Sequence, residues 1–321
     1  MEGLRVGHAR DSRESTGCTV VLLEPEAPVA VDARGGYPTT FDTHGVEIAK
    51  TYVKRHAIFL AGGDVYGLDA PAGIWKYLVE RGYASTEAGG KMPLVVGATI
   101  YDLFLADMKR VNYHKVAYAA CQNASATPVP EGLVGAGVGA AVGNFMGNRF
   151  NTKSGLGSSA LRLPNRITIA SLAVPNSMGD IYDFRTGKLI AGARDKSGRY
   201  VEFEKYIPQY VGERTKKRHT TLGIVATNAE LTHEELFKIA QVAHNGLAMS
   251  IRPVHTSEDG DTIFATSTSR IKILGERKRM IDAIGYGASI CLAAAVVRGV
   301  LTAQKSVHRL QQSRRRSAQH P

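Results

Sequence analysis

Residues 214–228, RTKKRHTTLGIVATN, set a charged run against an apolar one at a single threonine. Arg214, Lys216, Lys217 and Arg218 are charges that stay in water, whereas Thr220 and Thr221 open a short apolar strand, Leu222 to Ala226. A flexible connection therefore meets a rigid strand between His219 and Thr220. Were the chain cut there, Thr220 would carry a hydroxyl nucleophile and a free α-amine, whose pKa of about 8 suits it to act as the base. A threonine pair at a strand start is otherwise an ordinary strand feature.

Downstream, His255-Thr256-Ser257-Glu258-Asp259-Gly260-Asp261-Thr262 places two carboxylates around a glycine, just ahead of a second strand-like run, Ile263 to Thr266. Such a loop can deliver charge beside the Thr220 strand. Asp-Gly-Asp is also a common turn, and the further oxygen ligands of a calcium loop are missing, so neither a metal nor a cofactor is expected. His244 and His255 have no partner visible in sequence and read as structural. Asn176 follows the strand-like run 166–175, where asparagine commonly forms a turn.

At 321 residues and 44% hydrophobic content the chain can bury one large core or two medium ones. Cys18, Cys121 and Cys291 form no Cys-x-x-Cys pair, which argues against a disulfide framework or a zinc site and for a reduced, cytoplasmic setting. Met1 to His8 contain no apolar leader, and the apolar run Ala288–Val297 stops at Arg298, short of the roughly 20 residues that span a bilayer. That run reads as a buried helix, and no membrane partner is expected. Of the net charge of +11, residues 305–321 supply +5 through Lys305, Arg309, Arg314, Arg315 and Arg316. Without interleaved aromatics this is a solvated basic tail rather than a nucleic-acid surface.

Layered strands and helices are expected along the chain. Residues 17–34 read as a hairpin-like pair interrupted by Pro25 and Pro28, 41–53 as a helix, and 57–60 as a strand. Tyr66 to Glu80 reads as a helix, Met92 to Ile100 as a strand, and 185–219 as a polar connection. Gly132–Gly143 is not a dinucleotide loop: Thr127-Pro128-Val129-Pro130 ahead of it is no strand, and no acid follows about 20 residues on. So many small residues mean close backbone approach, to packed elements or to a ligand. Thr232-His233-Glu234-Glu235 is a capping box, and Leu236, Ile239, Ala240, Ala243 and Leu247 give the helix it opens one inward face.

Several segments keep a common order: Gly17–Val21, Val31–Gly36, Leu60–Gly63 with Tyr66–Ala70, Tyr118–Cys121, Val134–Ala140, Val174–Asn176, Thr220–Asn228, and Arg252–Thr256 with Asp259–Thr262. In this the chain resembles the L-aminopeptidase/D-esterase family of self-cleaving hydrolases, which includes β-aminopeptidases and nylon-oligomer hydrolases. The resemblance spans residues 3 to about 300. It implies an α/β fold, an αββα sandwich of two stacked sheets with helices on both outer faces, formed by a single domain, 1–304. It implies scission between His219 and Thr220 into 1–219 and 220–321, which stay associated, and assembly as a tetramer of such pairs.

By the same resemblance Thr220 is the nucleophile of an amide hydrolase acting on short peptides or amide oligomers. Asp259 and Asp261, 39 and 41 residues further on, sit against it, and Asn176 donates to the oxyanion. Tyr101 and the loop with Gly135 and Gly137 line the substrate site. The chain departs from the family pattern twice, with His219 where relatives carry asparagine or glycine and Asn144 where many carry lysine. Two further readings remain open: an unprocessed, catalytically silent binding or assembly protein, and an acyltransferase on the same fold.

Overall fold

The computed structural model describes residues 1–13, 15–83, 92–102, 107, 109–212 and 218–319. Residues 214–217 of the basic run lie outside them. Strands of the two main sheets are β1 (Leu4–Arg10), β2 (Gly17–Arg34), β3 (Thr40–Phe41), β4 (Lys54–Ala61), β5 (Val95–Thr99), β6 (Gly157–Arg162), β7 (Thr168–Asn176), β8 (Thr220–Ala229) and β9 (Asp261–Ile271). The helices are α1 (Ala70–Glu80), α2 (Tyr113–Gln122), α3 (Phe203–Tyr210), α4 (His233–Ser250) and α5 (Arg277–Gln319).

The strand run expected as a hairpin is one 18-residue strand. Its first half pairs with β1 and β4, its second half with β9, and the register with β4 shifts between Leu22 and Ala27. Pro25 falls inside that irregularity, where no ladder donor is needed, so proline bends the strand instead of ending it. β2 thereby joins two sheets, one ordered β3-β5-β4-β2-β1 and the other β2-β9-β8-β7-β6. Among the described residues only β4/β5 and β8/β9 pair as parallel strands.

Residues alternate along these strands between two environments, as a pleated sheet with both faces buried requires. Val21, Ile58, Val96, Val174, Leu222, Ile224 and Phe264 meet between the sheets. Val20, Leu22 and Phe59 face outward onto Ile74 and Leu78 of α1 and Val116 and Ala120 of α2. On the other side Ala173, Val225 and Ile263 meet Leu236 and Ala243 of α4 and Ala288 and Leu292 of α5. The layers are the expected αββα sandwich. Thr232 caps α4 through the expected box, its hydroxyl accepting from the Glu235 amide. α4 and α5 approach closely at Gly246, where a β-carbon would sit 2.2 Å from the Ser289 carbonyl oxygen.

The apolar window of α5 is long enough to cross a bilayer, yet 67% of it is buried inside the domain. The helix continues through Gln319, so the backbone of most of the basic segment prolongs α5 instead of leaving it as a separate tail. Two other expectations give way. Residues 41–53 contain only a single turn of 3-10 helix, His44–Val46: Asp42 and Ala49 adopt left-handed φ of 53° and 65°, and Ile48 and Tyr52 are exposed, so no continuous apolar face exists. The connection after residue 185 carries short strands and α3, because Phe203, Tyr206 and Tyr210 pack on Phe145 and Met178.

Asp180, fully buried, holds that region to the sandwich by accepting from the Ala193 and Phe203 amides at 3.2 and 2.8 Å. Burial pushes its carboxyl from the ordinary 3.8 up to about 7, with Glu202 adding to the rise and the two amides opposing it. A raised acid favours folding in its protonated form, so this contribution is complete below 3.8 and lost as pH rises through about 7. Thermal midpoints should therefore fall less steeply from pH 4 to 8 in Asp180→Asn than in the parent chain, whatever the offset; parallel profiles would refute the assignment. Phe264→Ala, which empties the space between the sheets, should cost about 3–5 kcal/mol in denaturant unfolding. A loss below about 1 kcal/mol would show that Phe264 is not a central packing residue.

Candidate active site

Parallel pairing of β8 with β9 brings two distant segments side by side: Leu222 lies opposite Thr262, and one step before the strands His219 bridges to Asp259. On its other side β8 runs antiparallel to β7, which sets Thr220 opposite Asn176. The threonine, both carboxylates and the asparagine singled out in sequence thus converge at one end of the second sheet, all of them buried.

The His219–Thr220 peptide is held tightly. The His219 amide donates to the Glu258 carbonyl at 3.0 Å. The His219 carbonyl oxygen accepts from the Gly260 N–H at 2.8 Å and from the Thr220 hydroxyl at 2.5 Å. A backbone donor is therefore already aimed at the carbonyl preceding Thr220, while the threonine oxygen lies against the same group. This is the geometry an oxyanion site needs.

The carboxylates build that arrangement without touching the Thr220 hydroxyl through any hydrogen bond among the described residues. Asp261 accepts from the Thr221 amide at 2.6 Å through Oδ1, and from the His255 amide and ring Nδ1 at 3.1 and 2.8 Å through Oδ2. Asp259 accepts from the Thr256 amide and hydroxyl at 2.9 and 2.7 Å and from the Met178 amide at 3.4 Å. Burial raises the Asp259 carboxyl, and the Asp261 charge beside it raises it further. His255 stacks edge-on to His244, their centroids 4.7 Å apart. His244 is bound to the Asp32 carbonyl at 3.0 Å, and burial pushes it down to about 3, so it stays neutral. His255 therefore takes part in the site through Asp261, which its lack of a sequence neighbour concealed.

Beside the peptide lies a cavity of about 460 Å³ whose lining includes Asp64, Tyr101, Asp102, Asn144, Asn176, Arg218 and His219. The glycine-rich loop contributes Gly139 and Ala141 to the wall. Gly135 and Gly137 pack elsewhere: β-carbons there would meet the Thr19 hydroxyl at 2.1 Å and the Leu156 amide at 2.2 Å. Asn176 accepts from the Ala141 amide at 3.1 Å and donates to the Tyr101 carbonyl at 3.0 Å. Asn144 donates to the Ala141 and Ser177 carbonyls and accepts from Asn151, which makes it a brace of the loop.

Asp102 and Asp64 carry charge into the cavity unannounced by any sequence motif. Asp102 accepts from the Thr16 hydroxyl at 2.6 Å and the Gly63 amide at 2.8 Å. Burial raises it to about 6, opposed by those two bonds and by the nearby Lys153 ammonium, which burial in turn lowers. Lys153 itself lines a neighbouring cavity and not this one. Among the described residues no three His, Cys, Asp or Glu side chains gather as a metal site.

The profile of "Peptidase family S58" matches residues 1–314. An uncharacterized aminopeptidase of Mycobacterium leprae is 33% identical over 333 residues, covering 95% of this chain and 90% of that protein. The 6-aminohexanoate-oligomer endohydrolase of Paenarthrobacter ureafaciens is 32% identical over 276 residues, covering 84% and 74%. The L-aminopeptidase D-Ala-esterase/amidase of Ochrobactrum anthropi, described as a variant of the Ntn hydrolase fold, superposes with a TM-score of 0.67 at 19% identity over 94% of this chain and 85% of that one. With a match over nearly its whole length and relatives above 30% identity across most of both sequences, the chain belongs to peptidase family S58.

Proposed function

We propose that the chain cuts itself between His219 and Thr220 and then hydrolyses amide bonds of short peptides or amide oligomers, with Thr220 as an N-terminal nucleophile. The observation that carries this reading is the His219 carbonyl, shared between the Gly260 N–H and the Thr220 hydroxyl. In the first step Thr220 Oγ1 attacks the His219 carbonyl carbon and gives up its proton, and the Gly260 N–H supports the negative oxygen. The C–N bond then breaks, the Thr220 nitrogen takes a proton, and an ester joins His219 to the threonine oxygen. Water opens that ester, leaving a carboxylate on His219 and a free hydroxyl and amine on Thr220.

In turnover the freed amine takes the hydroxyl proton as Thr220 attacks a substrate amide. The amine product leaves, and water releases the acyl group. Gly260 N–H and the Asn176 amide, turned from the Tyr101 carbonyl, are the oxyanion donors in this scheme. Asp261 acts by holding the Thr221 amide and His255, which keeps the 259–261 turn in register with the nucleophile. The two pieces stay together because β8, in the smaller piece, is hydrogen-bonded to β7 of the larger piece over eight residue pairs. A cavity of about 460 Å³ suits a short substrate.

Thr220→Ala should leave a folded, uncut chain without amidase activity, whereas Thr220→Ser should still be cut. A cut Thr220→Ala chain, or one that still hydrolyses short peptide amides, would remove Thr220 from the nucleophile's place. Asp261→Asn should slow both scission and turnover by about 100-fold, the cost of a displaced reacting geometry. Unchanged rates would leave Asp261 as scaffold only.

A further inference from the structure

Arg218, next but one before Thr220, lines the cavity beside Asp64. Nη1 donates to Asp64 Oδ2 at 3.0 Å, Nη2 donates to the Tyr37 hydroxyl at 3.3 Å, and the guanidinium carbon lies 4.4 Å from the centroid of the Tyr37 ring. A carboxylate beside an aromatic face is the chemistry that selects a flat, delocalised cation.

The receiving side is prepared. Asp64 is 5% exposed, its Oδ1 accepts from the Thr39 hydroxyl at 2.7 Å, and its amide donates to the Ile100 carbonyl at 2.9 Å. Its backbone takes a left-handed φ of 49°, a region that aspartate enters more readily than most non-glycine residues. One carboxylate oxygen is thus pinned by the fold and the other is turned to Arg218. Among the described lining residues Arg218 is the only arginine or lysine, against two carboxylates, Asp64 and Asp102. Remove that guanidinium and the cavity wall is left acidic.

We propose that Asp64, Thr39 and Tyr37 form a cation subsite that the uncut chain fills with its own Arg218, and that scission opens to the guanidinium of an amide substrate. This rests on the reading that the His219–Thr220 bond breaks. Before the cut Arg218 is tethered one residue from a strand and competes as an intramolecular ligand at high effective concentration. After the cut it lies on a chain end that is free on the Thr220 side, so a substrate cation can displace it. The uncut chain is thereby blocked twice, by a nucleophile still in peptide linkage and by an occupied subsite.

The test separates the subsite from the scission. In full-length chain carrying Thr220→Ala, calorimetry measures binding of Nα-acetyl-arginine methylamide and of its uncharged citrulline counterpart. Adding Arg218→Gln should tighten the arginine probe at least about ten-fold, and adding Asp64→Asn to that variant should abolish the gain, while the citrulline probe follows neither change. Equal affinities for the arginine probe in all three proteins, or a citrulline probe that gains as much, would overturn the subsite. Without Thr220→Ala, the cut protein should hydrolyse arginine amides faster than citrulline amides, through a lower KM. Equal turnover of the two by a cut, active protein would defeat this inference and leave Thr220 as nucleophile. An uncut parent chain whose Arg218→Gln form binds the arginine probe would defeat the Thr220 assignment and leave the subsite standing.

Discussion

The hydrogen bond from the Gly260 amide to the His219 carbonyl, 2.8 Å long, is the contact on which the site depends. It ties a turn at residues 259–261 to the peptide unit where the Thr220 hydroxyl sits beside the carbonyl that precedes it. Two parallel strands make this possible, because in a parallel pair the segments leading into both strands arrive at the same edge of the sheet. Asp261 then clamps the arrangement from the strand side through the Thr221 amide, and Asp259 from the loop side through Thr256. Neither acid bonds to the Thr220 hydroxyl among the described residues; both fix the frame around it.

Such a frame costs stability. Two carboxylates are buried within one short turn, and burial beside a like charge raises the Asp259 pKa, as burial raises Asp102 and Asp180. The sandwich tolerates this because three apolar layers surround it, one between the sheets and one under each helical face. Of these three acids only Asp102 lines the cavity, and the rigid pair of sheets keeps the carboxylates in position.

Much of this was legible in the chain. The Thr220 strand announced itself by an apolar run after a basic one, the Thr232 box fixed the start of α4, and the order of motifs carried the family. What could not be read has physical reasons. A backbone donor such as the Gly260 N–H has no side chain to mark it. β2 looked like two strands because prolines usually end a strand, and only the irregular register against β4 shows that here they bend one. Residues 41–53 have helical spacing, but Asp42 and Ala49 hold a left-handed φ that no helix accommodates, and spacing does not report φ. Arg218 and Asp64 lie 154 residues apart, and His255 meets Asp261 through a turn whose geometry the sequence does not specify.

Whether the His219–Thr220 peptide breaks is read from the intact mass of the purified chain under denaturing conditions. Two pieces are expected, the smaller beginning at Thr220, and the same two pieces when Lys216, Lys217 and Arg218 are all replaced by glutamine, which removes the sites for trypsin-like proteases. A single 34.5 kDa species after prolonged incubation, or pieces that begin at another residue, would contradict that scission.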